Sequence, residues 1–209
     1  MDAITLLKND HRAVEELFKK FEKAGDGAHK TKAKLVEKII HELAVHAAIE
    51  ETVFYPFVKG VNDTITDDVL ESLEEHHVVK WLLTELLDMD PKHERFDAKV
   101  TVLIESVRHH VKDEEREMFP AVRKAVPRSS LQELAEVLAR AKKTAPTRPH
   151  PKAPDEPPGN AVSVLVSGLI DRARDAGRDA VRKSTQSRRR PASRSTSRRR
   201  TASSARARR

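Results

Sequence analysis

The 209-residue chain contains no cysteine, which removes disulfides, thiolate nucleophiles and cysteine-based metal sites from consideration. Aromatic residues are scarce, with one Trp, one Tyr and six Phe, and glycine occurs only six times. That composition suits long amphipathic helices better than a sheet. No run approaches the roughly 18 apolar residues of a membrane-spanning helix. The first residues enter an amphipathic pattern directly (Ile4, Leu7, His11, Val14, Leu17, Phe18, Phe21), without the basic-then-apolar order of a leader. These absences predict a soluble, cytoplasmic, all-α protein with no transmembrane segment.

What the chain does have is a phrase written twice. His46-Ala-Ala-Ile-Glu50-Glu51-Thr-Val-Phe-Tyr55-Pro56 returns as His110-Val-Lys-Asp-Glu114-Glu115-Arg-Glu-Met-Phe119-Pro120, both reading His-x3-Glu-Glu-x3-aromatic-Pro. A second phrase, acid-His-x2-Val-x2-Leu-apolar, occurs at Asp10-His11 and again at Glu75-His76. The first 126 or so residues therefore read as one helical hairpin repeated. On a helix the His and the first Glu of the long phrase stack at i and i+4, which places imidazole and carboxylate on one face. The repeat also resolves the doublets His76-His77 and His109-His110, selecting His76 and His110 as counterparts of His11 and His46.

A lone His on an apolar stripe is ordinarily a core residue, and Glu pairs on helices ordinarily face water. Here one His recurs on each of four helices, two of them with an i+4 Glu, and the recurrence points to a metal site. The candidate ligands are His11, His46, Glu50, His76, His110 and Glu114. His29, His93 and His150 fall at turns or in a linker, while His41 and His109 point away from the neighbouring candidates. Glu42, Glu51, Glu75 and Glu115 read as solvated charge, with the alternative that they accept hydrogen bonds from the candidate imidazoles.

Punctuation predicts four helices, from about Asp2 (as N-cap) to Ala24, His29 to Lys59, Asp67 to before Asp90-Pro91, and His93 to Ala125. Pro56 and Pro120 fall late in their helices and are expected to kink or end the last turn. Short connections make an up-down-up-down four-helix bundle, the interior of which commonly holds metals. A short fifth helix is expected with Ser130-Leu-Gln-Glu133 as capping box and Leu131, Leu134, Val137 and Leu138 buried. The division is then 1–143 bundle plus fifth helix, 144–160 a stiff proline-rich linker outside the domain, 161–183 an amphipathic helix, and 184–209 a disordered Arg/Ser-rich basic tail.

Charge follows the same division. Residues 1–143 carry 23 Lys/Arg against 28 Asp/Glu, a net −5, and residues 144–209 carry 17 against 5, a net +12. The pI of about 9.7 is therefore a property of the C-terminal part. Ten Arg lie in the last 22 residues, among them Arg188, Arg189, Arg190, Arg198, Arg199 and Arg200. Without aromatics to stack on bases, such a tail reads either as a non-specific DNA or RNA binder through phosphates, with a nucleoid-associated location, or as a solubilising disordered end.

The two His-x3-Glu-Glu phrases, with His11 and His76, resemble the hemerythrin-like (HHE) cation-binding domains over about residues 1–126. The resemblance implies a non-haem di-iron centre, with Glu50 and Glu114 bridging two iron ions and the four His capping them. Imidazole and carboxylate also suit manganese. Oxygen carriers of the family have a second His where this chain has Ser72, and a His-x4-Asp pair where it has His-x3-Glu. Fewer protein ligands argue against simple O2 carriage and for binding, sensing or reacting with O2, peroxide or nitric oxide, weak peroxidase activity included.

Overall fold

The computed structural model describes residues 1–154, 167, 168, 170–172 and 175. Residues 155–160 of the linker, most of the predicted helix at 161–183, and the basic tail 184–209 lie outside the described residues. Contacts divide the chain into two units, Met1–Arg174 and Asp175–Arg209. No strand occurs among the described residues, and no helix among them is long and apolar enough to cross a membrane.

The first unit is a four-helix up-down-up-down bundle. Its first rod is α1, Ala3–Glu22, capped by Asp2, whose carboxylate accepts from the Thr5 amide at 2.8 Å. The second rod begins as α2, His29–Ile49, passes through a π-helical turn, Glu50–Phe54, and finishes as α3, Tyr55–Val58, before Gly60 at φ +87°. The third is α4, Asp63–Leu87, which starts four residues earlier than expected because Asn62 caps it by accepting from the Ile65 amide. The fourth is α5, Phe96–Asp113, a second π turn, Glu114–Met118, and α6, Phe119–Ala125.

The π turns correct the expectation for the prolines. A proline inside an α-helix loses an amide donor and drives its ring against the carbonyl four residues back. Here each helix widens by one residue immediately upstream, with the Tyr55 and Phe119 amides bonding back five residues to the Glu50 and Glu114 carbonyls. The rods then continue past Pro56 and Pro120, which sit in the first turns of α3 and α6. The widening also redirects side chains. In an α-helix, five residues put Tyr55 about 140° around from Glu50, but closing the backbone ring at i+5 brings it back above Glu50.

A fifth helix, α7, Arg128–Ala141, packs on α1. The expected capping box is absent: α7 begins directly after Pro127 with no side-chain cap. Leu131, Leu134, Ala135 and Leu138 form its buried face, and Val137, expected inside, is exposed. The proline-rich stretch also departs from expectation. Ala145 belongs to the apolar core, and Pro146, Thr147 and Pro149 are buried, so 145–149 packs onto the bundle instead of leaving it. Proline needs no partner for an amide it lacks, which lets such a segment lie against apolar surface at small polar cost.

Two apolar clusters fill the bundle. One contains Ile4, Leu7, Ile49, Phe54, Ile65 and Phe119, with α7 against it; the other contains Phe18, Ile39, Leu83, Phe96, Val100 and Leu103. Between them each rod contributes one inward-facing polar turn.

Candidate metal centre

His11 comes from α1, His46 from α2, His76 from α4 and His110 from α5. All four are buried, as are Glu50 and Glu114 at the starts of the two π turns. The six candidate ligands predicted from the repeat thus converge on one layer. Their donor atoms form two overlapping groups, His11, His46, Glu50 and Glu114, and Glu50, His76 and His110, within 4.8 Å of one another in each group.

The imidazoles meet in pairs. Nε2 of His11 lies 3.1 Å from Nε2 of His46, and Nε2 of His76 lies 3.1 Å from Nε2 of His110. The carboxylates join the pairs: a Glu50 oxygen is 3.1 Å from His46 Nε2 and 3.5 Å from His76 Nε2. A Glu114 oxygen is 3.2 Å from His11 Nε2 and 3.6 Å from His110 Nε2.

Outer carboxylates fix the ring orientations. Glu115 lies 3.0 Å from His11 Nδ1, Glu51 3.1 Å from His76 Nδ1, and Glu75 2.8 Å from His110 Nδ1. Asp10 stands 3.8 Å from His46 Nδ1 and is itself held by Lys142, just beyond α7. An imidazole that donates Nδ1–H outward presents the Nε2 lone pair inward. Glu51, Glu75 and Glu115 therefore bond rings, Glu51 buried and Glu75 and Glu115 half-buried, against the reading of them as solvated charge. Glu42 has no such role and pairs loosely with His41 at 3.6 Å on the surface. Asp10 was missed, although the acid-His phrase that pairs it with Glu75 already carried the signal.

His77 lies outside the layer, accepting from the Trp81 indole, and His109 is exposed beside Asp113 and Glu75. Tyr55 is the other residue the sequence reading missed. Its hydroxyl is buried, donates to Glu114 Oε1 at 3.0 Å, and comes within 3.4 Å of His76 Nε2. Ser72, also buried, hydrogen-bonds Tyr55. Only the π turn brings Tyr55 inward, and i+5 spacing from Glu50 gives no such signal under ordinary helical periodicity.

The electrostatics describe a layer short of positive charge. Both oxygens of Glu50 and Oε2 of Glu114 are buried and accept no hydrogen bond from any described residue, a costly state for a carboxylate. Paired Nε2 lone pairs 3.1 Å apart repel unless a proton or cation lies between them. Burial opposes charge on His46, but Glu50, Asp10 and Glu114 outweigh it and push its pKa up to about 10. Burial together with Glu114 raises that of Glu50. Burial acts upward on Glu114 as well, yet His110, His11 and His46 bring it down to about 2. Burial, then His110, His46 and Lys80, holds His76 well below the usual imidazole range. Four nitrogen and two carboxylate donors in so negative a field fit divalent transition cations of intermediate hardness.

The profile of the hemerythrin HHE cation binding domain matches residues 2–122. The chain belongs to that family. An uncharacterized hemerythrin-like protein of Schizosaccharomyces pombe is 30% identical over 167 residues, covering 79% of this chain and 81% of that protein. A protein of Nostoc sp. named as a DNA nickase is 29% identical over 126 residues, 59% of this chain but only 34% of the nickase. The crystal structure of a hemerythrin HHE cation binding domain-containing protein from Mycobacterium kansasii superposes with a TM-score of 0.60 at 24% identity, over 68% of this chain and 86% of that one. That likeness is one of fold.

Proposed function

We propose that the chain is a non-haem di-iron protein that binds, senses or reacts with O2, peroxide or nitric oxide, with manganese as the alternative metal. The observation that carries this reading is the pair of buried carboxylates, Glu50 and Glu114, each set between two imidazole pairs, with both Glu50 oxygens and Oε2 of Glu114 accepting no hydrogen bond from any described residue. In this reading His11, His46, His76 and His110, together with Glu50 and Glu114, would hold the two ions. Iron held by these residues would supply electrons to a small oxidant and a place for it or nitric oxide to bind. The chain's own residues do the rest. Glu115, Glu51 and Glu75 hold the rings of His11, His76 and His110 with Nε2 inward, and Tyr55 places an O–H against Glu114 as a proton donor. The two apolar clusters pack on either side of the layer along the bundle. Metal analysis of the purified protein, with an optical spectrum before and after peroxide, tests the reading: two iron or manganese ions per chain and a peroxide-dependent spectral change are expected. Zinc alone, or one ion per chain, would reject it.

A second reading, nucleic-acid association through the basic tail, is supported by the ten Arg of the last 22 residues. Each phosphate contact adds about 0.9 to the slope of log affinity against log salt on duplex DNA, so engaging half of these Arg gives a slope of about −4 to −5 with little sequence preference. Truncation after Lys183 should abolish binding and leave metal content intact. Equal binding by the truncated chain would refute the reading.

A further inference from the structure

Against one side of the imidazole layer lies a cavity of about 520 Å³ between α1, α2, α4 and α5, into which His11, His46, His76 and His110 all face. At about 30 Å³ per water molecule it has room for on the order of 17 waters, far beyond the needs of O2, peroxide or nitric oxide. Its walls are apolar, formed by Val14, Phe18, Leu43, Val79, Val107 and Val111. Its rim is cationic. Lys8, Arg12, Arg108, Lys112 and Arg116 line it, against two acids, Glu15 and Glu115.

Those two acids are already engaged. Arg108 pairs with Glu15 and Glu22, and Glu115 is taken by Lys8 at 2.8 Å and by His11. Arg12 bonds the neutral Asn9, Lys112 reaches only Asp113 at 3.9 Å, and Arg116 has no carboxylate partner among the described residues. Three exposed cations thus remain at the mouth of an apolar chamber. A second cleft near the layer is small, about 80 Å³, and lined by Asp68, Glu71, Glu75, Asp113 and Glu117, so an anion is repelled there and attracted to the larger one.

We propose that this cavity binds a linear amphipathic carboxylate, a fatty acid or a fatty acyl hydroperoxide, with its chain among the valines and its head group at Arg12, Lys112 and Arg116. Long apolar bodies with one anionic end match an apolar pocket of a few hundred Å³ fixed by a few charged groups. The inference gives the small-ligand reading of the bundle an organic ligand, but it stands on the cavity and its rim and does not require metal. The experiment is displacement of a dansyl-labelled undecanoate from the full-length protein by dodecanoate, dodecanol and dodecyltrimethylammonium at low ionic strength. Dodecanoate should compete best. Arg12→Glu/Arg116→Glu, both exposed, should weaken dodecanoate roughly tenfold or more with little effect on dodecanol, the loss shrinking in high salt. Val111→Trp, at a half-buried wall position, should weaken both. Metal content measured on the same samples separates the pocket from the metal reading: unchanged metal with altered dodecanoate binding supports the pocket, whatever the metal proves to be. No binding by the full-length protein, equal binding of the alkyl cation, or unchanged dodecanoate affinity in the double variant would overturn it.

Discussion

The two halves of the bundle use the same parts in the same order but are not equivalent. Asp10, His11, His46, Glu50, Glu51 and Pro56 correspond to Glu75, His76, His110, Glu114, Glu115 and Pro120. The outer acids serve the repeat in two ways. Glu75 bonds the imidazole of its own half and Asp10 faces that of its own at 3.8 Å, while Glu51 and Glu115 bond that of the other half. Each hairpin is therefore incomplete alone. The halves differ where the aromatic before proline stands: Phe119 stacks flat on His11, whereas Tyr55 adds a hydroxyl that reaches Glu114 and leaves Glu50 without an equivalent donor. They differ also in their lysines, since Glu51 is paired with buried Lys80 and Glu115 with partly exposed Lys8. A repeated scaffold sets out matching positions, and a few unmatched side chains give them different chemistry.

The strongest way to break the comparison is to remove a shared carboxylate. Glu50→Ala or Glu114→Ala should abolish binding of both metals, because each carboxylate belongs to both halves. Metal content falling by one ion per chain would show that the halves bind independently. Next in size is metal removal, which leaves desolvated carboxylates and imidazoles without a cation; the melting temperature should fall by on the order of 10 °C. Equal melting of the two forms would place the metals outside the core.

The outer acids sharpen the contrast. Glu115→Ala and Glu51→Ala should each lower metal affinity by roughly 10–100-fold, measured by chelator competition. Glu51→Ala should also destabilise the fold more, since it takes a carboxylate from buried Lys80. Tyr55→Phe makes the halves alike at this position. Two ions should remain bound, while the peroxide-dependent spectral change slows several-fold through loss of the donor at Glu114; an unchanged rate would make Tyr55 structural only. His77→Ala should do least, with metal content as in the parent, since His77 lies outside the layer against Trp81.

The repeat alone identified His11, His46, Glu50, His76, His110 and Glu114 as one set and chose between neighbouring histidines, because helical periodicity fixes which residues share a face and duplication removes coincidences. It also separated an acidic bundle from a basic C-terminal part, since charge is additive along the chain. The tertiary structure decided what depends on backbone register and on contacts between rods. The π turns could not be read from a proline near a helix end, since proline is compatible with a kink, a stop or a widened turn, and packing of the surrounding rods selects among them. Tyr55 therefore reached the layer without a periodic signal. The outer acids were ambiguous for a related reason. A glutamate one residue past an inward one points sideways, to water on an isolated helix and to a neighbour's imidazole in a bundle, and only the placement of the next rod distinguishes the two.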